Sequence, residues 1–243
     1  MKVLILGGGG GIGSTVARMI VGAGGSVYLA GRDAARLEAV ASELAMPWGT
    51  VEATDFESVD ACADAAATAL GGLDGIANCV GSILLKPAHL TTPADWHATL
   101  ATNLTSAFGC VRAAGRLMKA DGGSVVLVSS AAARIGLPNH EAIAAAKAGI
   151  IGLVQAAAAT YARQRIRFNA VAPGLVRTPL AAGIVSSEVA EKASVSMHPL
   201  GRLGEPADVA RAIVWLLDPA QSWVTAQVIG VDGGLADVKG RPS

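Results

Sequence analysis

The stretch that decides the fold is KVLILGGGGGIG, residues 2–13. The apolar run Lys2–Leu6 leads into five consecutive glycines, Gly7–Gly11, and Ile12 and Gly13 then open a helical pattern. Glycine permits positive φ and lets the backbone approach a pyrophosphate, whose charge is stabilised at the N-terminus of the following helix. A lone glycine-rich stretch is also typical of a flexible turn. Between a strand and a helix, with a second strand near Ser26, it predicts a dinucleotide-binding turn.

Short apolar runs alternate with longer helical patterns along the rest of the chain. The predicted strands are Lys2–Leu6, Ser26–Ala30, Gly49–Ala53, Leu73–Ala77, Ser124–Val128, Arg167–Val171 and Gln227–Val231. The predicted helices are Ile12–Gly22, Ala34–Leu44, Phe56–Leu70, Thr99–Lys119, Glu141–Gln164 and Pro206–Leu217. The strands are rich in Val, Ile and Leu and do not alternate with polar residues, as expected of parallel strands buried on both faces. This order predicts one α/β domain over residues 1–243, a Rossmann-type doubly wound parallel sheet of seven strands with helices on both faces.

Composition excludes several classes of function. The 243 residues are 52% hydrophobic and carry 19 basic and 19 acidic side chains, so no charge excess favours nucleic acid or an anionic membrane. The first apolar run is too short for a signal peptide, and no charge-free apolar window reaches the ~20 residues of a membrane span. Cys62, Cys79 and Cys110 lack metal-ligand spacing. We therefore expect a cytoplasmic protein without a metal site.

Two long connections are the candidates for substrate binding. One is Gly81–Thr92, after the fourth predicted strand, and the other is Pro173–Gly204, after the sixth. In an open parallel sheet, ligands bind beyond the carboxyl ends of the strands, where both connections emerge. We expect a small-molecule substrate there, with residues 173–204 forming a mobile lid over it.

The end of the second strand bears on the choice of cofactor. An acidic residue usually holds the ribose hydroxyls of NAD at this place, whereas an arginine favours the 2′-phosphate of NADP. Here Arg32 follows Gly31, which predicts a preference for NADP(H) over NAD(H). In the alternative interpretation Arg32 is a solvated turn residue. Asp33 is consistent with a helix N-cap in either case.

Several motifs, in one order and spacing, resemble those of the short-chain dehydrogenase/reductase family from Val3 to about Gly234. They are the glycine turn Gly7, Gly11 and Gly13, the segment Asn78–Gly81, Asn103, Ser130, Lys147, the segment Pro173–Thr178, the segment Pro199–Pro206 and the segment Val231–Gly234. Leu6 stands where the family usually has a threonine, and Cys79 and Val80 depart from its Asn-Asn-Ala-Gly segment.

The resemblance implies a role for each matching residue. Ser130 would hydrogen-bond the substrate carbonyl, Lys147 would hold the nicotinamide ribose, and Asn103 would hold a water in a proton relay. The cofactor-binding residues implied are Gly7, Gly11, Ile12, Gly13, Arg32, Asn78, Gly81, Lys147, Pro173, Gly174, Val176 and Thr178. The family resemblance also implies a homotetramer, and the two long helices Thr99–Lys119 and Glu141–Gln164 are rich enough in Ala and Gly to pack against copies of themselves.

One catalytic residue of the family is missing. Ile143 lies thirteen residues after Ser130 and four before Lys147, where the family has its acid–base tyrosine. Isoleucine can neither donate nor accept a proton, and loss of a general acid costs ~10²–10⁴-fold in rate. His140 is a candidate replacement, because it lies two helical turns before Lys147 and related enoyl reductases place their tyrosine at that spacing. Pro138-Asn139-His140 is equally typical of a plain helix start, where an exposed histidine has no catalytic role.

The sequence thus leaves two hypotheses. In the first, the protein is an NADP(H)-dependent oxidoreductase for a small carbonyl, hydroxy or activated-alkene substrate. The proton then comes through Ser130 and an Asn103–Lys147 water chain, or slowly from water onto an enolate. In the second, it is a catalytically impaired relative that binds NADP(H) as a sensor or structural subunit.

Overall fold

The computed structural model describes residues 1–239 as one parallel sheet between two layers of helices. The strands are β1 Lys2–Leu6, β2 Ser26–Gly31, β3 Trp48–Thr50, β4 Gly75–Asn78, β5 Gly123–Val128, β6 Ile166–Pro173 and β7 Val228–Val231. The α-helices are α1 Gly11–Gly22, α2 Ala34–Leu44, α3 Phe56–Leu70, α4 Pro93–Leu100, α5 Ser106–Leu117, α6 Glu141–Thr160, α7 Glu188–Ser196 and α8 Pro206–Leu217. The predicted fold class is confirmed.

Two hydrophobic cores lie on opposite faces of the sheet. Successive side chains of a strand point to opposite faces, so Leu4 and Leu6 pack with α3, α5 and α6, while Val3 and Ile5 pack with α1, α2 and α8. All four side chains are fully buried. This double burial explains why the strands lack polar alternation.

The strand order β3-β2-β1-β4-β5-β6-β7 fixes the position of the main cleft. The chain builds β2 and β3 on one side of β1 and then returns to place β4 on the other side, with Leu6 paired to Asn78. The connections that follow β1 and β4 therefore diverge and leave a crevice at the carboxyl edge of the sheet.

The structure differs from the sequence prediction in several element bounds. The predicted helix Thr99–Lys119 begins six residues earlier, because Thr92 caps it in a capping box with Asp95 and Pro93 occupies its first turn. A π-helical turn over Ala101–Thr105 then joins α4 to α5. The predicted strand Gly49–Ala53 is displaced to Trp48–Thr50, an edge strand whose register is set only by its pairing with β2.

The connection 173–204 is not a plain loop. It contains a short 3₁₀ turn at Pro179–Ala181 and the helix α7. Ser187 caps α7 by accepting a hydrogen bond from the Ala190 amide. The lid-like segment is therefore a structured one.

Within residues 1–239, α6 is long and apolar enough to cross a membrane by length and composition. Core helices of soluble proteins meet the same criterion. This helix packs against β6 and α4, and it buries the charged side chain of Lys147.

Candidate functional site

A cavity of about 670 Å³ occupies the crevice beyond β1 and β4. Its walls include seven residues predicted to bind cofactor: Gly7, Gly11, Ile12, Gly13, Arg32, Gly81 and Thr178. The remaining lining residues are Gly9, Gly10, Gly31, Asp33, Arg36, Leu37, Val51, Glu52, Ala53, Thr54, Cys79, Val80, Thr102, Pro179 and Leu180. The structure thus gathers residues from five separate connections around one space.

The glycine turn is packed so closely that it tolerates no side chains at its key positions. Gly7 has φ +80°, and a Cβ built on it would lie 2.8 Å from the Cys79 carbonyl carbon. A Cβ on Gly13 would overlap the carbonyl oxygen of Gly7, and one on Gly11 would lie 3.0 Å from Cγ2 of Thr178. The turn therefore keeps the backbone bare where it lines the cavity.

This bare backbone suits a pyrophosphate. The first amides of α1 have no partner inside the helix, and Gly10, at the N-cap, has no side chain to satisfy them. These amides lie at the positive end of the helix dipole and can donate to phosphate oxygens. The residues present therefore fit a dinucleotide.

The far end of the cavity carries both signs of charge. Arg32 and Arg36 line it together with Asp33 and Glu52. Asp33 caps α2 by accepting from the Arg36 amide at 3.1 Å, and its carboxylate also pairs with Nε of Arg36 at 3.0 Å. Hydrogen bonds from Thr54, and to a smaller extent the charge of Arg32, hold the pKa of Glu52 below its usual range. Arg32 itself is exposed. The Asp33 cap was foreseen in the sequence.

Lys147 brings a buried positive charge to the inner end of the cavity. Its side chain is 6% exposed, and Nζ donates to the Val128 carbonyl oxygen at 2.8 Å. Burial lowers the pKa of the Lys147 ammonium to about 8. A Cβ built on Gly81, in the cavity wall, would lie 3.5 Å from Nζ. The ammonium has three protons, so two of them remain for a ligand or water.

Asn103 is fully buried, and its Oδ1 lies near Gly81, as Lys147 Nζ does. Its Nδ2 donates to the Thr99 carbonyl at 2.9 Å and to Oγ of Ser82 at 2.9 Å, while its Oδ1 accepts from the Ser82 amide at 3.1 Å. The π-helical turn carries Asn103 at its centre, which interrupts the regular hydrogen bonding of the helix there. Asn103 therefore ties the connection after β4 to the helix α4–α5.

Ser130 follows β5 on the same edge of the sheet. Its Oγ accepts a hydrogen bond from the Ala132 amide at 3.2 Å, so its own proton is free to be donated. The preceding Ser129 is buried and donates to the Lys147 carbonyl oxygen at 2.8 Å. This bond fixes α6 against the end of β5.

Ile143 lies one helical turn before Lys147 and is 5% exposed. Neither tyrosine of the chain is near it. Tyr28 belongs to β2, and its hydroxyl lies against Gly49 of β3. Tyr161 packs against Gly115 and Phe168 at the far end of α6. The site therefore contains no phenol.

His140 occupies the N-cap position of α6. Its Nδ1 lies 2.8 Å from the Pro138 carbonyl oxygen, and the residue does not line the cavity. This placement agrees with the helix-start interpretation, and a catalytic role for His140 stays a prediction.

The predicted cofactor residues of the connection after β6 divide into two groups. Thr178 lines the cavity and packs against the glycine turn, whereas Gly174 and Val176 do not line the cavity. Gly174 packs against His198, whose Nε2 accepts from the Leu175 amide at 3.1 Å. Pro173 ends β6, and Asn78 turns its side chain to Ser106 Oγ and to the Val80 amide, so both shape the site without lining its cavity.

Several polar residues of the site were not predicted from the sequence. Arg36, Glu52 and Thr54 line the cavity, and Ser82 contacts Asn103. The signal available for Glu52 was its place just after an edge strand that neighbours the strand of Arg32. Ser82 had a comparable signal, because it directly follows the segment Asn78–Gly81.

Comparisons with known proteins agree with this geometry. Residues 8–236 match a family model described as enoyl-(acyl carrier protein) reductase. The chain is 37% identical over 242 residues to a cis-4-hydroxycyclohexanecarboxylate dehydrogenase of Sinomonas cyclohexanicum, covering 97% of this chain and 96% of that one. It is 34% identical to an inactive 2-(S)-hydroxypropyl-CoM dehydrogenase 2 of Xanthobacter autotrophicus, covering 92% and 100%.

Two solved structures share the whole fold. A short-chain type dehydrogenase/reductase from Mycobacterium ulcerans superposes with a TM-score of 0.93 at 33% identity, covering 98% of this chain and 90% of that one. The structure of ElxO with NADP bound gives a TM-score of 0.89 at 30% identity, covering 97% and 99%.

Proposed function

The chain belongs to the short-chain dehydrogenase/reductase family, and we propose that it is an NADP(H)-dependent oxidoreductase whose acid–base chemistry works without a tyrosine. Its relatives are named dehydrogenases and reductases, and the chain is a short-chain oxidoreductase. The proposed substrate is a small carbonyl or hydroxy compound, or an activated alkene. The observation that carries the proposal is the bare glycine turn with the buried Lys147 ammonium at the inner end of its cavity.

The preference for NADP(H) rests on the far end of the cavity. Arg32 is exposed there, and Asp33 is already engaged with Arg36, so no free carboxylate competes at the end of β2 for the ribose hydroxyls. A 2′-phosphate would meet a guanidinium that forms a charge-assisted hydrogen bond. NADP bound in the ElxO structure supports the same choice.

A bound nicotinamide supplies or accepts the hydride, and the protein must handle the matching proton. In carbonyl reduction the substrate carbon gains the hydride and its oxygen must gain one proton. Ser130 can donate a hydrogen bond to that oxygen. Both Nδ2 hydrogens of Asn103 are already donated, so a water that donates to Asn103 Oδ1 and accepts from Lys147 would deliver the proton. Lys147 would hold the nicotinamide ribose, and with its pKa at about 8 its ammonium can exchange protons with such water near neutral pH.

Reduction of an activated alkene would not require the protein to supply a general acid. Hydride addition to its β-carbon leaves an enolate whose oxygen needs hydrogen-bond donors, and water can then protonate the α-carbon slowly. The buried, apolar Ile143 suits such a substrate better than a carbonyl. The match to an enoyl reductase model favours the same reaction class.

A second candidate function follows from the missing phenol. The Xanthobacter relative is named inactive, and a protein that keeps the cavity without a proton donor could bind NADP(H) as a sensor or structural subunit. Binding without turnover is its signature.

We also propose a homo-oligomer in the cytoplasm. Among the exposed positions of α6 are Ala145, Ala148, Gly152, Ala156 and Ala159, small side chains that allow a second helix to approach closely. On α5, Phe108 is 47% exposed. A tetramer assembled through these helices would bury both.

The experiment is a titration with NADPH and NADH followed by a substrate panel. Arg32→Ala should lose ~1.5–3 kcal/mol of NADPH affinity, roughly ten- to a hundredfold, and change little toward NADH. Arg18→Ala is the matched control, because Arg18 pairs with Glu43 outside the cavity. Equal losses for both cofactors in Arg32→Ala would refute the 2′-phosphate contact.

The panel contains 4-oxocyclohexanecarboxylate, the ketone that corresponds to the alcohol named for the Sinomonas relative, and 2-cyclohexenone. Consumption of NADPH is followed by its absorbance. Tight NADPH binding without turnover of any ketone or enone would favour the binding module, and no binding of either nucleotide would refute both functions.

A further inference from the structure

Ser82 places a hydroxyl next to Gly81 of the cavity wall and against Asn103, at a position outside the family motifs. It directly follows Gly81 and is half-buried. Its Oγ accepts from Asn103 Nδ2 at 2.9 Å, and its amide donates to Asn103 Oδ1 at 3.1 Å. Two hydrogen bonds to one fully buried amide hold this residue in a single orientation.

The Ser82 hydroxyl has a proton that it can donate to a ligand. A serine hydroxyl carries one proton, and within residues 1–239 the Ser82 proton has no protein acceptor. A hydroxyl that accepts a hydrogen bond from a buried amide is polarised and donates more strongly. Ser106 differs from Ser82 in this respect, because its hydroxyl accepts from Asn78 and donates its own proton to the Thr102 carbonyl oxygen.

Ser82 lies close to the residues that surround the position of the missing phenol. Gly81 lies against both Lys147 Nζ and Asn103 Oδ1, at 3.5 and 3.2 Å from its built Cβ. Ile143 is shorter than a tyrosine and lies one turn from Lys147, so it does not extend as far along that side of the site as a phenol would. Two serine hydroxyls follow neighbouring strand ends at the same edge of the sheet, Ser130 after β5 and Ser82 after β4.

We propose that Ser82 is a further catalytic residue, whose hydroxyl donates a hydrogen bond to the substrate oxygen and, together with Ser130, replaces the absent phenol as its hydrogen-bond donor. The inference rests on the proposed oxidoreductase function. Ser82 transfers no proton in this role. It stabilises the negative charge that develops on the oxygen when hydride arrives, and the proton still comes from water beside Lys147.

The test compares Ser82→Ala with Ser82→Thr, which keeps the hydroxyl. The probes are 4-oxocyclohexanecarboxylate for turnover and cyclohexanecarboxamide, a carbonyl that is not reduced, for binding to the NADPH complex. Ser82→Ala should lower kcat by roughly 10²-fold with a much smaller change in KM, because the bond strengthens as charge develops. It should also weaken the carboxamide several-fold, leave the Kd of NADPH unchanged, and be rescued by Ser82→Thr in both assays.

Ser124→Ala is the matched control for loss of a serine hydroxyl. Ser124 is buried at the opposite edge of the sheet and donates to the Leu216 carbonyl at 2.8 Å. Its loss should lower Tm by roughly 2–4 °C and leave kcat, KM and carboxamide binding unchanged.

Three results would overturn the proposal. If Ser82→Ala reduces the ketone at the wild-type rate, Ser82 is not catalytic although the oxidoreductase function stands. If Ser82→Ala and Ser82→Thr are equally impaired, the residue is structural. If the wild type binds NADPH but neither reduces the ketone nor binds the carboxamide, the proposed function and the role of Ser82 fail together.

Discussion

Replacing Ile143 with tyrosine tests directly whether the site lacks only its proton donor. The new hydroxyl would extend from α6 one turn before Lys147, and the positive ammonium would favour its ionised form. If the remaining groups are in place, carbonyl reduction should rise by a general-acid contribution of ~10²-fold or more. The matched control is Ile143→Phe, which adds the same ring without the hydroxyl.

The cost of this substitution follows from the packing. Ile143 is 5% exposed, and its helix neighbours Ala142 and Ala146 are 3% and 0% exposed. A larger ring in such a place costs ~1–3 kcal/mol, which lowers Tm by roughly 2–12 °C in a domain of this size. Because Phe and Tyr share the ring, the loss of stability should be nearly equal in the two variants.

The assay is NADPH consumption with 4-oxocyclohexanecarboxylate at saturating cofactor, accompanied by thermal unfolding of each variant. The Tyr to Phe ratio of kcat isolates the hydroxyl from the ring. A ratio near one in folded, NADPH-binding variants would refute the reasoning, because the missing phenol would then not be what limits reduction. If the wild type instead reduces 2-cyclohexenone and both variants slow it, Ile143 belongs to the pocket of an alkene substrate.

Four further outcomes are expected. The Lys147 pKa of about 8 lies below its ordinary 10.5, so the unfolded chain binds more protons than the folded chain between these pH values. In denaturant titrations, the free energy of unfolding of the wild type relative to that of Lys147→Met should therefore rise by ~3 kcal/mol from pH 7 to 10.5. A difference that does not change with pH would contradict the buried charge. Gly13→Ala, whose methyl would overlap the Gly7 carbonyl oxygen, should lower Tm and raise the Kd of NADPH at least roughly tenfold. A Tm and a Kd equal to those of the wild type would contradict the close packing. A Cβ on Gly152 meets nothing within 4 Å, so Gly152→Gln should gain ~0.5–1 kcal/mol of helix stability in a monomer. If α6 packs against a second copy, the same variant should dissociate the oligomer, as measured by light scattering. An intact, more stable oligomer would exclude this face of α6 from the subunit interface. His140→Ala should leave kcat within about twofold of the wild type, as its N-cap position indicates, and a loss near 10²-fold would make it the proton donor.

Local patterns identified most of the fold because each expresses a physical requirement of a few neighbouring residues. The run Lys2–Leu6 was predicted to the residue, since a strand buried on both faces must be apolar throughout. Apolar periodicity does not reveal the start of α4, because its first residues are mostly exposed. The capping signal of Thr92, Pro93 and Asp95 marks that start instead. The bounds of β3 depended on its pairing with β2, which no local pattern encodes.

The sequence by itself determined the glycine turn, the Asp33 cap, the exposed Arg32 and the absence of a tyrosine at position 143, since each is a property of residue type and near-neighbour spacing. Only the tertiary structure decided what surrounds Lys147. Its hydrogen-bond partner Val128 ends β5, and its neighbour Gly81 follows β4 and also lies against Asn103 of the π-helical turn. The parallel sheet brings these distant segments to one edge. The lowered pKa of that ammonium and the fixed hydroxyl of Ser82 follow from burial and from contacts across these segments, and such effects exist only once the chain has folded.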